Sequence, residues 1–275
     1  MKVLLSGNEA IARGAYEAGV TVATAYPGTP STEILENIVA YKDIYAEWSP
    51  NEKVALEVGT GAAIAGRRVL VTMKHVGVNV AADPLFTLSY TGIRGGLVIV
   101  TADDPAMHSS QNEQDNRNYA KFAKIPMLEP SNSQEAKEYV KLALEISERF
   151  DTPVMLRSTT RISHSKSIVQ LSEPAPQVIK GELEKQPEKF VMLPKFARIR
   201  HPLVEERIQQ LTAFADTFEE NIMEVNDPSV GIITSGVCYQ YAKESFPGYS
   251  FLKLGMVYPL PLTMIREFAS RVEKL

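Results

Sequence analysis

Along the first 166 positions, apolar residues alternate between short β-rich runs and longer stretches with helical spacing. The runs at 20–25, 44–48, 69–73, 96–102 and 153–158 predict strands, and the N-terminal MKVLLSGNEA predicts the opening strand of the fold. Helices are expected between them at 8–18, 30–41, 52–66, 79–91 and 133–150. The last has the clearest signals. Asn132 or Ser133 can cap it, Glu135 lies in its first turn, and Val140, Leu142, Ala143 and Ile146 form an apolar stripe. Strands alternating with helices imply right-handed crossovers and a mostly parallel sheet covered on both faces, an α/β architecture.

The pattern then changes. From 172 to 202 the chain carries Pro174, Pro176, Pro187, Pro194 and Pro202 among many Lys and Glu residues, which predicts a linker laid over a surface. An amphipathic helix over 203–222 follows. After it come a strand at 230–234, the turn Ser235-Gly236, a helix at 237–244, a strand at 251–254 and a helix at 263–274. The expected organisation is therefore 1–166, a linker and helix over 167–222, and an α/β unit over 223–275. That last unit is too short to stand alone, so the chain is expected to stop inside a domain of a longer subunit, or to be a naturally split subunit.

Composition narrows the function classes. The 275 residues carry a net charge of −4, which argues against a nucleic-acid surface and offers no polybasic membrane patch. No apolar run reaches the roughly 20 residues of a membrane span, and no secretory signal opens the chain, so the expected location is cytoplasmic. The single Cys238 excludes a disulfide framework or a Cys-rich metal site in these residues. It is expected to be a small buried residue. Phosphate-loop, GxGxxG, HExxH and GxSxG motifs are absent.

In open parallel sheets ligands bind beyond the carboxyl ends of the strands. Four consecutive strands deliver polar, turn-forming residues there: Tyr26-Pro27-Gly28-Thr29-Pro30, Ser49-Pro50-Asn51-Glu52, Lys74-His75-Val76-Gly77 and the loop 103–117. Glu52 opens a helix rich in Ala and Gly, expected to be buried on most sides. A carboxylate in a first helical turn is explained by the helix dipole, with Asn51 as cap. If buried, it is also suited to exchange a proton with a ligand nitrogen. Thr29 before Pro30 fits either an N-cap or a site residue. Lys74 and His75 can hold an anion beside a helix starting near Asn79, or serve the loop structurally. The loop 103–117 is long enough for a lid, whereas His164 and His201 look incidental.

Several ordered motifs then resemble one family. They are Gly7-Asn8-Glu9-Ala10, Tyr26-Pro27-Gly28-Thr29-Pro30-Ser31-Thr32-Glu33, Glu47-Trp48-Ser49-Pro50-Asn51-Glu52-Lys53-Val54-Ala55, Thr72 to Pro84, and Ser109 to Asp115. Together they resemble the alpha subunits of indolepyruvate ferredoxin oxidoreductases, among the thiamine-diphosphate-dependent 2-oxoacid ferredoxin oxidoreductases. The resemblance covers most of 1–166 and resumes over 231–261. It implies a pyrimidine-binding domain over 1–166 and the start of a transketolase-C-terminal-like domain over 223–275. It also implies that Glu52 hydrogen-bonds the aminopyrimidine N1′ of the cofactor and drives its activation. Asn79 would help hold the cofactor, with Thr29, Lys74 and His75 in the substrate pocket.

The family's Gly-Asp-Gly diphosphate segment and Cys clusters are missing from these residues. The Mg²⁺ and [4Fe-4S] sites are therefore expected only with a further C-terminal part. A diphosphate-binding domain and a second subunit are expected as partners, in a dimer, with an aryl-2-oxoacid, CoA and ferredoxin as reactants. A non-oxidative 2-oxoacid decarboxylase subunit and a non-catalytic binding module are the alternatives.

Overall fold

The computed structural model describes residues 1–176 and 185–275. In chain order the elements are β1 Lys2–Ser6, α1 Gly7–Glu17, β2 Val22–Ala25, α2 Thr32–Ile38, β3 Tyr45–Trp48, α3 Glu52–Ile64, β4 Val69–Lys74, α4 Gly77–Val80 and α5 Ala82–Thr91. They continue with β5 Leu97–Asp103, α6 Arg117–Ala123, β6 Met127–Leu128, α7 Ser133–Phe150, β7 Val154–Thr159, α8 Thr160–His164 and β8 Lys166–Gln170. The remainder comprises α9 Pro187–Phe190, α10 Pro194–Ala215, β9 Ile222–Glu224, β10 Asp227–Ser235, α11 Gly236–Ser245, β11 Tyr249–Leu254, β12 Met256–Tyr258 and α12 Leu262–Ser270.

A seven-stranded sheet in the order β12-β6-β7-β5-β4-β2-β3 organises the molecule, parallel except for β12. Its central strands are buried on both faces, as parallel strands under crossover helices must be. Side-chain alternation splits the core in two. Leu70, Val98, Val100, Val154 and Leu156 face α1, α2 and α7, while Val69, Val71, Met73, Ile99 and Met155 face α3, α5 and α6. Two small sheets flank this one, antiparallel β1-β8 and the three-stranded β10-β11-β9. The anticipated α/β sheet is therefore present, with β2, β3, β4, β5 and β7 where apolar runs predicted strands.

Several local expectations differ from the structure. The opening strand pairs with β8 outside the main sheet. The helix expected from Pro30 starts at Thr32, with Ser31 at its N-cap position, because Ser31 N and Ser31 Oγ both donate to Gly28 O (2.8 Å each) and make that segment a turn. Thr29 is thus not the cap. The helix expected over 79–91 is broken at Ala81 into α4 and α5.

Of the Pro- and charge-rich stretch, 177–184 lies outside the described residues, and the part from 187 onward forms α9 and the first turns of α10. Pro194 begins α10, which runs through Pro202. Cations of α9 and α10 satisfy carbonyls at and beyond the end of α5. Lys189 Nζ donates to Ile93 O (2.9 Å), Arg200 Nε to Tyr90 O (2.8 Å) and Arg207 Nη1 to Ser89 O (2.8 Å). Cys238, expected to be buried, is exposed in the first turn of α11. The helix α3 buries one face (Glu52, Ala55, Leu56, Gly59, Ala63) but leaves Glu57, Val58 and Gly61 exposed, so it is less enclosed than its composition suggested.

Candidate active site at the carboxyl edge of the sheet

Because β2, β3, β4, β5 and β7 run parallel, their carboxyl ends share one edge, and the predicted residues arrive there by topology alone. Three residues after β3, Asn51 caps α3 by accepting from Val54 N at 2.9 Å. Glu52 follows in the first turn and is 8% exposed. Its carboxylate makes no hydrogen bond or ion pair to any described residue. Gly77 packs directly on it, and a Cβ there would lie 2.4 Å from Glu52 Oε1. Glu52 is therefore a nearly buried acid, held by backbone, with its hydrogen-bonding capacity unspent.

The end of β4 supplies Lys74 and His75, both buried. Lys74 Nζ donates to Ser109 O at 2.6 Å, and His75 Nε2 lies 3.1 Å from Asn112 O. A carbonyl only accepts, so Nε2 carries the proton, and the buried Nδ1 has no partner. Gly28 sits against the stem of Lys74, where a Cβ would fall 2.9 Å from Lys74 Cβ. This places the exposed Thr29 next to the lysine. Asn79, on α4, is also exposed and accepts from Tyr119 OH at 2.6 Å. The edge thus brings Gly28 to Lys74 and Gly77 to Glu52, while Asn79 lies outward on α4.

The loop 104–116 lies across this edge, folded around Asp104. That carboxylate accepts from Ser109 N (2.8 Å), Ser110 Oγ (2.6 Å), His108 N (3.2 Å) and Thr160 Oγ1 (2.7 Å). Burial pushes the Asp104 carboxyl up, but these hydrogen bonds outweigh it and hold the group far below the usual carboxylate range. At the loop's end, the side chain of buried Asn116 donates to Thr101 Oγ1 and His75 O, and its backbone N–H donates to Asp103 Oδ2.

An ion network behind the loop was not anticipated from the sequence. Arg157 Nε donates to Asp103 Oδ2 at 2.7 Å, and its Nη1 contacts Glu129. Glu129 in turn accepts from Ser235 Oγ at 3.0 Å, linking β10 and α11 to the main sheet. Burial raises the Asp103 carboxyl despite the Arg157 charge, whereas the carboxylates around Arg157 outweigh its burial and drive its guanidinium still higher. The available signal was Arg157 itself, a charged residue directly after the apolar run Val154-Met155-Leu156. This network borders a cavity of about 1080 Å³ between the sheet edge and α11, lined also by Arg161, His164 and Cys238. Glu52 does not line this cavity.

A family model described as pyruvate flavodoxin/ferredoxin oxidoreductase, thiamine diphosphate-binding, matches residues 13–231. The chain belongs to this family. Indolepyruvate oxidoreductase subunit IorA of Archaeoglobus fulgidus is 49% identical over 286 residues, covering 100% of this chain and 46% of that protein. The subunit of the same name from Pyrococcus horikoshii is 48% identical, covering 100% of this chain and 44% of its own length. The chain thus spans about half the length of these relatives. Among solved structures, 2-oxoglutarate:ferredoxin oxidoreductase from Magnetococcus marinus superposes with a TM-score of 0.77 at 15% identity over 99% of this chain and 57% of that one, a likeness of fold.

As a member of the pyruvate flavodoxin/ferredoxin oxidoreductase family, the chain carries a thiamine-diphosphate-binding module. The residues present fit that cofactor's aminopyrimidine. Glu52 is a shielded carboxylate with no partner among the described residues, held against Gly77. Among the described residues no group of three or more His, Cys, Asp or Glu is placed to hold a metal, and no helix is long and apolar enough to cross a membrane.

Proposed function

We propose that this chain is the aminopyrimidine-binding half of a thiamine-diphosphate-dependent, indolepyruvate-type ferredoxin oxidoreductase, acting in the cytoplasm. The observation that carries the reading is Glu52, an almost buried carboxylate with no protein partner at the carboxyl edge of the sheet. Bound there, thiamine diphosphate would supply the electron sink on which a 2-oxoacid loses its carboxylate as CO₂.

Glu52 would hold the cofactor by sharing a proton with the ring nitrogen N1′. Its shielded position makes that bond stronger than it would be in water. The loop 104–116, clasped by Lys74 and His75, would keep bulk water from the same edge. Thr29 would face the substrate from the turn after β2, and Asn79 would meet the cofactor from α4. Aryl-2-oxoacids such as indolepyruvate are the proposed substrates, with CoA as acyl acceptor and ferredoxin as electron acceptor. Support comes from the 44–49% identity to archaeal proteins named indolepyruvate oxidoreductase subunits. A diphosphate-binding domain, Mg²⁺ and [4Fe-4S] clusters, contributed outside residues 1–275, would complete the site, with a second subunit and dimerisation.

Glu52→Gln tests the assignment. It preserves shape but removes the proton-sharing carboxylate. In the reconstituted complex, thiamine-diphosphate-dependent consumption of indolepyruvate should fall about 100-fold or more, as loss of a positioned acid–base group does. Full turnover in the variant would remove the assignment.

A further inference from the structure

Lys74 combines three properties that rarely occur together. It is 9% exposed, its ammonium touches only one protein acceptor, the neutral carbonyl of Ser109, and no carboxylate of a described residue lies within ion-pairing distance. Other deeply buried lysines of this protein are treated differently. Lys137 and Lys253, each 1% exposed, face Glu17 and Glu135 at 2.5 Å. A buried charge left without a counter-charge is costly unless something supplies one. An ammonium has three donors, and Ser109 O takes one of them. The stem is fixed between Gly28 and the strand end, so the remaining donors are held at the edge rather than free to swing into solvent.

His75 next to it carries no compensating role. Its proton is committed to Asn112 O, and its buried Nδ1 is unpartnered. The loop carboxylate Asp104 is already engaged by four donors, three from the loop and one from Thr160. Glu52 is likewise unpaired but makes no ion pair with Lys74, so the position of the counter-charge is open to a ligand.

We infer that Lys74 is the anion receptor of this edge and takes the carboxylate of the 2-oxoacid through its free donors, while Ser109 O and His75 hold the loop around it. This rests on the function proposed above, since it presumes that a 2-oxoacid binds beside Glu52. It assigns the lysine a single task, recognition of the ligand's charge. The carboxylate is held from β4, opposite the Gly28–Thr29 turn, with its organic side chain directed away from the buried stem. No proton transfer or bond change is asked of Lys74.

The test compares two unreactive ligands of equal shape, indole-3-propionate and indole-3-propionamide, titrated calorimetrically into the complete enzyme with thiamine diphosphate bound. The wild type should bind the carboxylate about 10- to 100-fold more tightly than the amide, the range of one charge-assisted hydrogen-bonded contact. Lys74→Met should bind both equally, and Lys74→Arg should recover part of the preference. A lysine that merely clasps the loop would, on replacement, change both affinities together and leave their ratio intact. The inference falls if the wild type shows no preference or if Lys74→Met keeps it. Thiamine diphosphate affinity is measured on the same samples. Wild type that binds the cofactor but shows no carboxylate preference overturns this inference alone, whereas wild type that fails to bind the cofactor overturns the underlying function.

Discussion

Gly77 and Glu52 come from different strand-end connections yet occupy one spot, and their contact makes the site sensitive to a single methyl group. Adding Cβ at position 77 places it 2.4 Å from Glu52 Oε1 and 2.6 Å from Glu52 Cγ, so the carboxylate must move. Gly77→Ala should therefore weaken thiamine diphosphate binding about tenfold or more while costing only about 1–2 kcal/mol of stability, because the yielding group is a side-chain end. Calorimetric titration and urea unfolding of the same variant check both halves. Glu52 was legible in the sequence because its position after a strand, behind a capping Asn and ahead of small residues, is a local pattern. Gly77 as its neighbour was not. That proximity depends on how α3 and α4 pack, which no spacing along the chain encodes. The ion pairs of Arg157 with Asp103 and Glu129 were missed for the same reason: a cation in a strand is visible along the chain, but the carboxylates it meets are set by packing.

At the scale of elements, α1 and α7 lie together under the sheet and are joined by a buried pair. Lys137 Nζ meets Glu17 Oε2 at 2.5 Å, and Glu17 also accepts from Arg13 and from Ser172 N. Burial pushes the Glu17 carboxyl up, but its hydrogen bonds to Lys137, Arg13 and Ser172 prevail and hold it below the ordinary 4.5. A depressed carboxyl stabilises the fold above its unfolded pKa, and that contribution is lost as pH falls through the folded value. Stability should thus fall below about pH 4.5. Lys137→Met should cost about 3 kcal/mol at pH 7, as a buried acid loses its partner, and should also flatten the acid limb. Urea titrations of wild type and variant at pH 7 and pH 4 measure both.

The same scale shows where composition misled. The 172–202 stretch looks like a tether because its cations and prolines are those of a solvated segment. Lys189 and Arg200 within it are instead donors for the carbonyls at and beyond the end of α5, a role that charge counting cannot distinguish from exposure. The strands and the long amphipathic α7 were found because apolar periodicity is strongest where both faces or one whole stripe is buried.

Over the whole molecule, the carboxyl ends of β5 and β7 and of β10 open on a common cavity, and Glu129 joins its two walls through Arg157 and Ser235. Removing that carboxylate leaves Arg157 with less counter-charge and Ser235 without its acceptor. Glu129→Ala should destabilise the protein by about 3 kcal/mol. It should also accelerate amide exchange in β10 and α11 more than in β4 and β5, which hydrogen exchange with mass spectrometry resolves by segment. The parallel sheet was readable in advance because each strand needs only its local apolar run. The closing strand was not, for β12 is three residues long and pairs with two residues more than 120 positions earlier.

That late pairing sets the timetable of synthesis. Met256 and Tyr258 cover the edge formed by Met127 and Leu128, yet the ribosome makes them long after β7 has been laid down. At about 5–20 residues per second, some 90 residues separate the completed parallel strands from their seventh partner, an interval of roughly 4 to 18 seconds. Throughout it the nascent sheet carries a bare hydrogen-bonding border beside an incomplete apolar face, the kind of surface that recruits neighbouring chains. Nascent chains arrested at position 170 should bind trigger-type chaperones and yield to protease, and those extended past 258 should resist both. Expression yield would then follow how quickly translation crosses the middle of the message, more than how stable the finished protein is.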